Sequence, residues 1–333
     1  MKNIATIGSG SWGVALALHC HRLGHRVSIW APFPEECQRL CQTRELQAFL
    51  PGHIIPEQVL ISGDLTLCCS GVDAVLLAVP SHAVRRLAKE LSARLSPGTA
   101  LISAVKGIET DSLMRVSEIL REFFSGDFPV LSLSGPSFAA EVARGDPTAV
   151  VLACGDLSTA RQWQRELSGR NLRIYANEDL IGTELGGAVK NVVAIASGVL
   201  HGLGYGANTI AALITRGLAE IKRLAMAAGG RSETMAGLAG LGDLVLTCTG
   251  GASRNRQVGI ALGNGQKLPD ILKEIGQVAE GVKTTESTLG LARRYGVEMP
   301  IVSQMYAILH DGISPEIAIA ELMKRELKSE NGS

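Results

Sequence analysis

"NIATIGSGSWG", residues 3–13, decides the fold. Its first half is short, apolar and β-branched, the composition of a buried strand. Gly8, Gly10 and Gly13 follow in the spacing G-x-G-x-x-G, with Ser9, Ser11 and Trp12 between them. A helical pattern runs on through "WGVALALHCHRLG", and "RVSIW" is a second strand, so the glycines sit inside a βαβ unit. There Gly8 permits the tight turn, and Gly10 lets the backbone approach a diphosphate seated on the helix N-terminus. Gly13 lets the helix pack close to the strand. A glycine turn alone is a weak signal; one that leaves a strand and opens a helix points to a dinucleotide site.

Outward from this unit, "DAVLLAVP" (73–80), "ALISAVKG" (100–107), "FPVLSLSGPS" (128–137), "TAVVLACG" (148–155) and "LRIYA" (172–176) read as further strands. Helical patterns over 82–95, 110–124 and 156–169 alternate with them, which predicts a mostly parallel sheet with helices on both faces. From about Asn177 the strand signal stops, and helix follows helix, broken at Gly229-Gly230 and Gly250-Gly251. The expected fold class is therefore α/β: an N-terminal Rossmann-like, doubly wound sheet followed by an all-α C-terminal domain. Residues 1–180 form the first domain and 181–333 the second, with a ligand cleft between them.

Lys+Arg and Asp+Glu both number 32, a balance that speaks against a nucleic-acid partner and for a small molecule. The seven cysteines include no C-x-x-C pair, and most lie in apolar segments. Buried reduced thiols and a cytoplasmic location are expected. The glycine loop begins too early for a signal peptide, and no run of about 18 apolar residues predicts membrane insertion. No metal-ligand spacing occurs, and a homodimer is left open.

The stretch "GTELGGAVKNVVAIASGVLHGLGYG" (182–206) has the composition of a helix buried on all sides, yet carries Lys190 and Asn191 at its middle. A lysine is almost never fully buried unless paired. Either it lines a wet cleft or it does chemistry. Asp243, also in an apolar run, is its candidate partner and a candidate N-cap of the helix after Gly242; Thr247 falls on the same helical face. Thr183, Gly186, Gly187, Lys190, Ala194 and Ser197 share one face, a stripe expected to clear room for a ligand. Lys106 stands at a strand's carboxyl end, where such sheets bind ligands, though a solvated lysine there is as ordinary. In "SGPSFAAEV" (134–142), Gly135 and Pro136 make a bend and Ser137 a candidate helix cap. In "GGASRNRQVG" (250–259), Ser253 is a candidate N-cap, and Arg254, Asn255 and Arg256 enter the helix. Arginines at the positive end of a helix suggest an anion, and a phosphate suits them. Together these residues could protonate a carbonyl at Lys190 while a nicotinamide delivers hydride.

The second strand ends in Ala31-Pro32, without the Asp or Glu that commonly holds the ribose of NAD. NAD and NADP are both admitted, with NADP slightly favoured because nothing at the strand end repels its 2′-phosphate.

Taken together, "GSGSWG", "AVPSH", "SAVKGIE", "SGPSFAAEV", "ELGGAVKNVVAIASG", "GLAGLGDLVLTCTGGASRN" and "VAEGVKTT" make the whole chain resemble the bacterial-type, NAD(P)-dependent glycerol-3-phosphate dehydrogenase family. The resemblance implies reversible reduction of dihydroxyacetone phosphate to sn-glycerol 3-phosphate, a supply for phospholipid synthesis. It implies Lys190 as the catalytic acid/base; by charge, Lys106 would lower and Asp243 would raise the pKa of that lysine, and Thr247 is read as a further catalytic candidate beside them. It implies substrate contacts from Lys106, Gly135, Ser137, Lys190, Asp243, Ser253, Arg254 and Asn255, to which Asn191 is added. Cofactor contacts would come from Ser11, Trp12, Lys106, Ala139, Arg254, Val278 and Glu280, beside the glycine loop. Relatives often carry a basic residue where this chain has Pro32. The competing expectations are a lysine-dependent dehydrogenase of the β-hydroxyacid type and a non-catalytic dinucleotide sensor.

Overall fold

The computed structural model describes residues 1–275, 279–327 and 329–330. Strands and helices alternate as β1 (Asn3–Ile7), α1 (Ser11–Arg22), β2 (Arg26–Trp30), α2 (Pro34–Thr43), β3 (Leu60–Ser62), α3 (Leu65–Cys68), β4 (Ala74–Leu77) and α4 (Val84–Ser92). They continue as β5 (Ala100–Ser103), α5 (Val116–Phe123), β6 (Val130–Ser134), α6 (Ala139–Arg144), β7 (Thr148–Ala153), α7 (Leu157–Leu167) and β8 (Leu172–Asn177). The strands form one sheet in the order β3-β2-β1-β4-β5-β6-β7-β8. Six run parallel, whereas β7 lies antiparallel to β6 and carries β8 with it. Successive side chains of a strand point to opposite faces. In β1, Ile4 enters the core beneath α1, while Ala5 and Ile7 enter the core under α4 and α5. Burial on both faces explains why these strands read as continuous apolar runs.

Past Asn177 the described chain is helical: α8 (Leu180–Gly202), α9 (Ala207–Ala227), α10 (Ser232–Met235), a π-turn over Leu238–Gly242, α11 (Asp243–Thr249), α12 (Arg254–Gly263), α13 (Leu268–Ile275), α14 (Glu280–Tyr295), α15 (Pro300–His310) and α16 (Pro315–Met323). Every residue of α8 from Gly182 to Leu200 is buried. It is the central post, packed by α9, α11, α12, α14 and α15. Small residues let its neighbours come to backbone contact. A Cβ on Gly198 would lie 2.8 Å from the Gly259 Cα, and one on Gly263 would lie 2.9 Å from the Gly202 Cα. The two halves are joined by Glu184 of α8, which accepts from the Ser117 amide (2.7 Å) and hydroxyl (2.6 Å) and from Arg115 (2.6 Å) at the start of α5. Among the described residues no single helix is long and apolar enough to cross a membrane, and no disulfide links the cysteines.

Several local expectations are corrected. The segment between the second strand and residue 73 holds α2, β3 and α3, which the pattern did not reveal. The helix expected from 110 starts only at Val116, because residues 108–115 loop back through an Ile108–Arg115 bridge with Leu113 at φ 60°. The stripe on α8 does not clear room for a ligand. A Cβ on Gly186 would strike the Ala239 carbonyl, one on Gly187 would strike the Ser134 hydroxyl, and Ser197 donates to the Cys248 carbonyl. Small residues there admit neighbouring protein.

Candidate active site

The carboxyl ends of β1, β4, β5 and β6 open on one edge of the sheet, opposite α8, α11, α12 and α14. Gly8 has φ +117°, and a Cβ on it would collide with the Ala78 carbonyl; one on Gly13 would collide with the Gly8 carbonyl. Gly10, the N-cap of α1, faces open space, and the first turn of α1 carries no acidic residue. Ser11 and Trp12 begin that helix, and the Trp12 Nε1 is buried without a partner among the described residues. An uncapped, acid-free N-terminus of a 12-residue helix, approachable at glycine, fits the diphosphate of a nicotinamide dinucleotide. Ala139 starts α6, two residues beyond Ser137.

Lys190, ten residues into α8, is 4% exposed. Its Nζ forms an ion pair with Asp243 Oδ1 and donates to Thr247 Oγ1 at 2.7 Å. Lys106, in the loop after β5, donates to Asp243 Oδ2 at 2.7 Å and to the Gly135 carbonyl at 2.9 Å. One buried carboxylate thus holds two ammonium groups, leaving one net positive charge. Asp243 is placed for this by the π-turn. Gly242 before it is already helical and the side chain caps nothing, so the N-cap expectation fails. Burial pulls the Lys190 ammonium down to about 8; the Asp243 carboxylate opposes this and Lys106 adds to it. Burial pushes the Asp243 carboxyl up, but the two lysines outweigh it and hold it below its ordinary value.

A second network ties the cradle together. Asn191 donates to the Lys106 carbonyl (3.1 Å), Asn255 donates to Asn191 Oδ1 (2.9 Å), and the Gly281 amide donates to Asn255 Oδ1 (3.0 Å). Ser253 caps α12 by accepting from the Arg256 amide at 3.2 Å, as its position suggested. Arg254 is exposed at the start of α12, within electrostatic reach of Glu280. Ser137 is not the cap of α6, which begins after Phe138; its hydroxyl donates to the Gly135 carbonyl at 2.9 Å, inside a turn where Gly135 has φ +130°. Glu280 accepts from the Ser81 amide (3.0 Å) and hydroxyl (2.6 Å), latching α14 to the turn after β4. The signal for Ser81 in the sequence is its place directly after "LLAVP" at a strand end. Val278 lies outside the described residues. Among the described residues no cluster of three or more His, Cys, Asp or Glu is arranged to hold a metal.

A doubly wound sheet with a dinucleotide-type glycine loop, facing a helical half whose buried Lys190 and Asp243 meet Lys106 at the sheet edge, defines a nicotinamide-dependent dehydrogenase. Comparison with known proteins narrows this. Residues 3–160 match the model described as the NAD-dependent glycerol-3-phosphate dehydrogenase N-terminus, and residues 179–320 match that of its C-terminus. A Koribacter versatilis protein named glycerol-3-phosphate dehydrogenase [NAD(P)+] is 51% identical over 99% of both chains, and one from Citrifermentans bemidjiense is 50% identical over 99% of both. The crystal structure of glycerol-3-phosphate dehydrogenase from Coxiella burnetii superposes with a TM-score of 0.94 at 39% identity, covering 97% of this chain and 99% of that one. The chain belongs to the NAD-dependent glycerol-3-phosphate dehydrogenase family. The β-hydroxyacid alternative is not favoured by these full-length matches, and the non-catalytic sensor gives way with it.

Proposed function

We propose that this chain reversibly reduces dihydroxyacetone phosphate to sn-glycerol 3-phosphate, with Lys190 as the proton donor. The observation that carries the reading is the accounting at Lys190 Nζ. An ammonium has three N–H donors; Asp243 and Thr247 take two, which leaves one for a carbonyl oxygen. A nicotinamide dinucleotide, when bound, supplies or accepts the hydride. Lys190 gives its proton to the ketone oxygen as that oxygen becomes an alkoxide, and takes it back in the oxidation. Its value of about 8 suits it to both directions near neutral pH. Asp243 and Thr247 fix the direction of the ammonium. Lys106 keeps the cleft positive for an anionic substrate.

The phosphate is held at the start of α12 by Ser253, Arg254 and Asn255, where helix dipole and guanidinium both favour an anion. Gly135, Ser137 and Asn191 line the remainder of the substrate. Gly8, Gly10, Ser11, Trp12 and Gly13 carry the diphosphate, and Ala139, Arg254, Glu280 and Val278 are assigned to the remaining cofactor contacts. In this reading residues 1–180 bind the dinucleotide and 181–333 the substrate. Five of seven thiols are buried and none is paired, which supports a reducing, cytoplasmic setting.

The test compares initial rates with dihydroxyacetone phosphate, dihydroxyacetone and a panel of oxoacids in wild type and Arg254→Ala. Loss of a partly desolvated arginine–phosphate contact costs on the order of 2–5 kcal/mol. The substitution should lower kcat/KM for the phosphorylated ketone by that amount and cost the unphosphorylated one far less. Equal losses on both would place the anion elsewhere, and faster turnover of an oxoacid would overturn the substrate assignment.

A further inference from the structure

Resting on the dinucleotide reading above, we propose that Glu36 of α2 supplies the ribose-holding acid missing from the end of β2, and that it makes this chain select NAD(H) over NADP(H). The glycine loop and the end of β2 meet directly, since the Gly8 amide donates to the Trp30 carbonyl at 3.2 Å. Between the diphosphate at the start of α1 and the end of the second strand is where this fold seats the adenosine ribose. Ser9 occupies that junction, 3% exposed, and its hydroxyl donates to Glu36 Oε1 at 2.8 Å. Pro34, locked at the first helical position, starts α2 four residues after β2 ends, so Glu36 falls in its first turn and reaches back to the loop. The acid is thus displaced from the strand end into the first turn of α2, not lost.

Glu36 is half-buried, and its Oε2 has no hydrogen-bond partner among the described residues. A carboxylate oxygen anchored through its sibling is an acceptor waiting for a donor. The 2′-hydroxyl of NAD(H) is a donor. The 2′-phosphate of NADP(H) brings no donor at neutral pH, and it carries negative charge against the carboxylate. Phe33, the N-cap of α2, is 66% exposed beside the same junction and offers an apolar face to an adenine. The counter-force would have to come from Arg39, three residues further along α2 and exposed. The outcome reverses the slight lean toward NADP drawn from Ala31-Pro32 alone.

Calorimetric titration of the full chain with NADH and with NADPH tests this without turnover. NADH should bind about tenfold more tightly or better, the ratio that about 1.4 kcal/mol of repulsion produces. Glu36→Gln keeps the length and an acceptor for Ser9, and should shrink the ratio about tenfold through tighter NADPH binding. Ser9→Ala, which leaves the charge but frees it from its anchor, should shrink the ratio less. Arg39→Ala should leave it unchanged. Equal or tighter NADPH binding by wild type overturns the proposal, as does an unchanged ratio in Glu36→Gln, or a ratio governed by Arg39. Binding of neither dinucleotide would instead overturn the parent reading.

Discussion

Each oxygen of Asp243 accepts from a different lysine, and that arrangement controls when Lys190 holds a proton. Burial alone would strip the ammonium; Asp243 restrains the fall and Lys106 deepens it, giving a value of about 8. For ketone reduction the protonated form is the reactive one. The rate should be level below pH 8 and fall above it, while the oxidation of sn-glycerol 3-phosphate should rise over the same range. Lys106→Met removes the second positive charge, so the break should move to higher pH even though the overall rate drops. Lys190→Ala should abolish the break and lower kcat by about 10²–10⁴-fold with dinucleotide affinity nearly intact. A break that stays in place in Lys106→Met would detach Lys190 from the titration. At this scale the sequence was partly legible. An ammonium group within an apolar helix, and an aspartate in another apolar run, announced themselves by what burying each alone would cost. The direct Lys106–Asp243 pair did not, because it joins residues far apart in the chain through a π-turn with no marker in composition.

The α8–α12 crossing is the element that brings the phosphate cradle to the lysine. With Gly198 and Gly202 against Gly259 and Gly263, two backbones touch without side chains between them. A Cβ on Gly259 would strike the Ile195 carbonyl and lie 2.8 Å from the Gly198 Cα, both rigid helical backbone. Gly259→Ala should therefore cost about 1–3 kcal/mol or more through overpacking. It should lower Tm by several degrees and raise KM for dihydroxyacetone phosphate, because the start of α12 moves with the helix. An unchanged Tm would show that the crossing has slack. Long periodic helices and buried strands were readable because their period is imposed by burial. The pieces β3 and α3 were not, since they are only 3 and 4 residues long, and α2 was not because it buries only Leu40. The glycines of α8 are visible in the sequence but their purpose is not, because a small residue admits a ligand and a neighbouring backbone equally well, and only tertiary packing decides between them.

Across the whole molecule, stability should carry the signature of Glu220, buried on α9 behind the start of α15. It accepts from the Ile301 amide (2.8 Å) and the Val302 amide (3.3 Å). Burial nevertheless outweighs these bonds and pushes the carboxyl up to about 7. A raised carboxyl gives stability that is complete below its unfolded value near 4.5 and lost as pH climbs through 7. Glu220→Gln has no proton to lose, so the Tm advantage of wild type over the variant should shrink between pH 5 and 8; a constant difference would mean that Glu220 does not titrate there. The alternation of strand and helix, and the switch to helices at Asn177, were visible at this scale; the reversal of β7 was not, since a strand's direction leaves no trace in its composition. That reversal turns α8 into a ruler. Because β7 and β8 run against the other six strands, the chain leaves the sheet pointing away from the glycine-loop edge, and α8 must climb back. The distance from the Asp179 cap to Lys190 then sets the height of the ammonium above the sheet. One residue inserted between them would swing the lysine by about 100° and off its aspartate, and a whole added turn would restore its bearing but overshoot by about 5.4 Å. The strand that turns back thus forbids a change of length in a helix it never touches at the lysine.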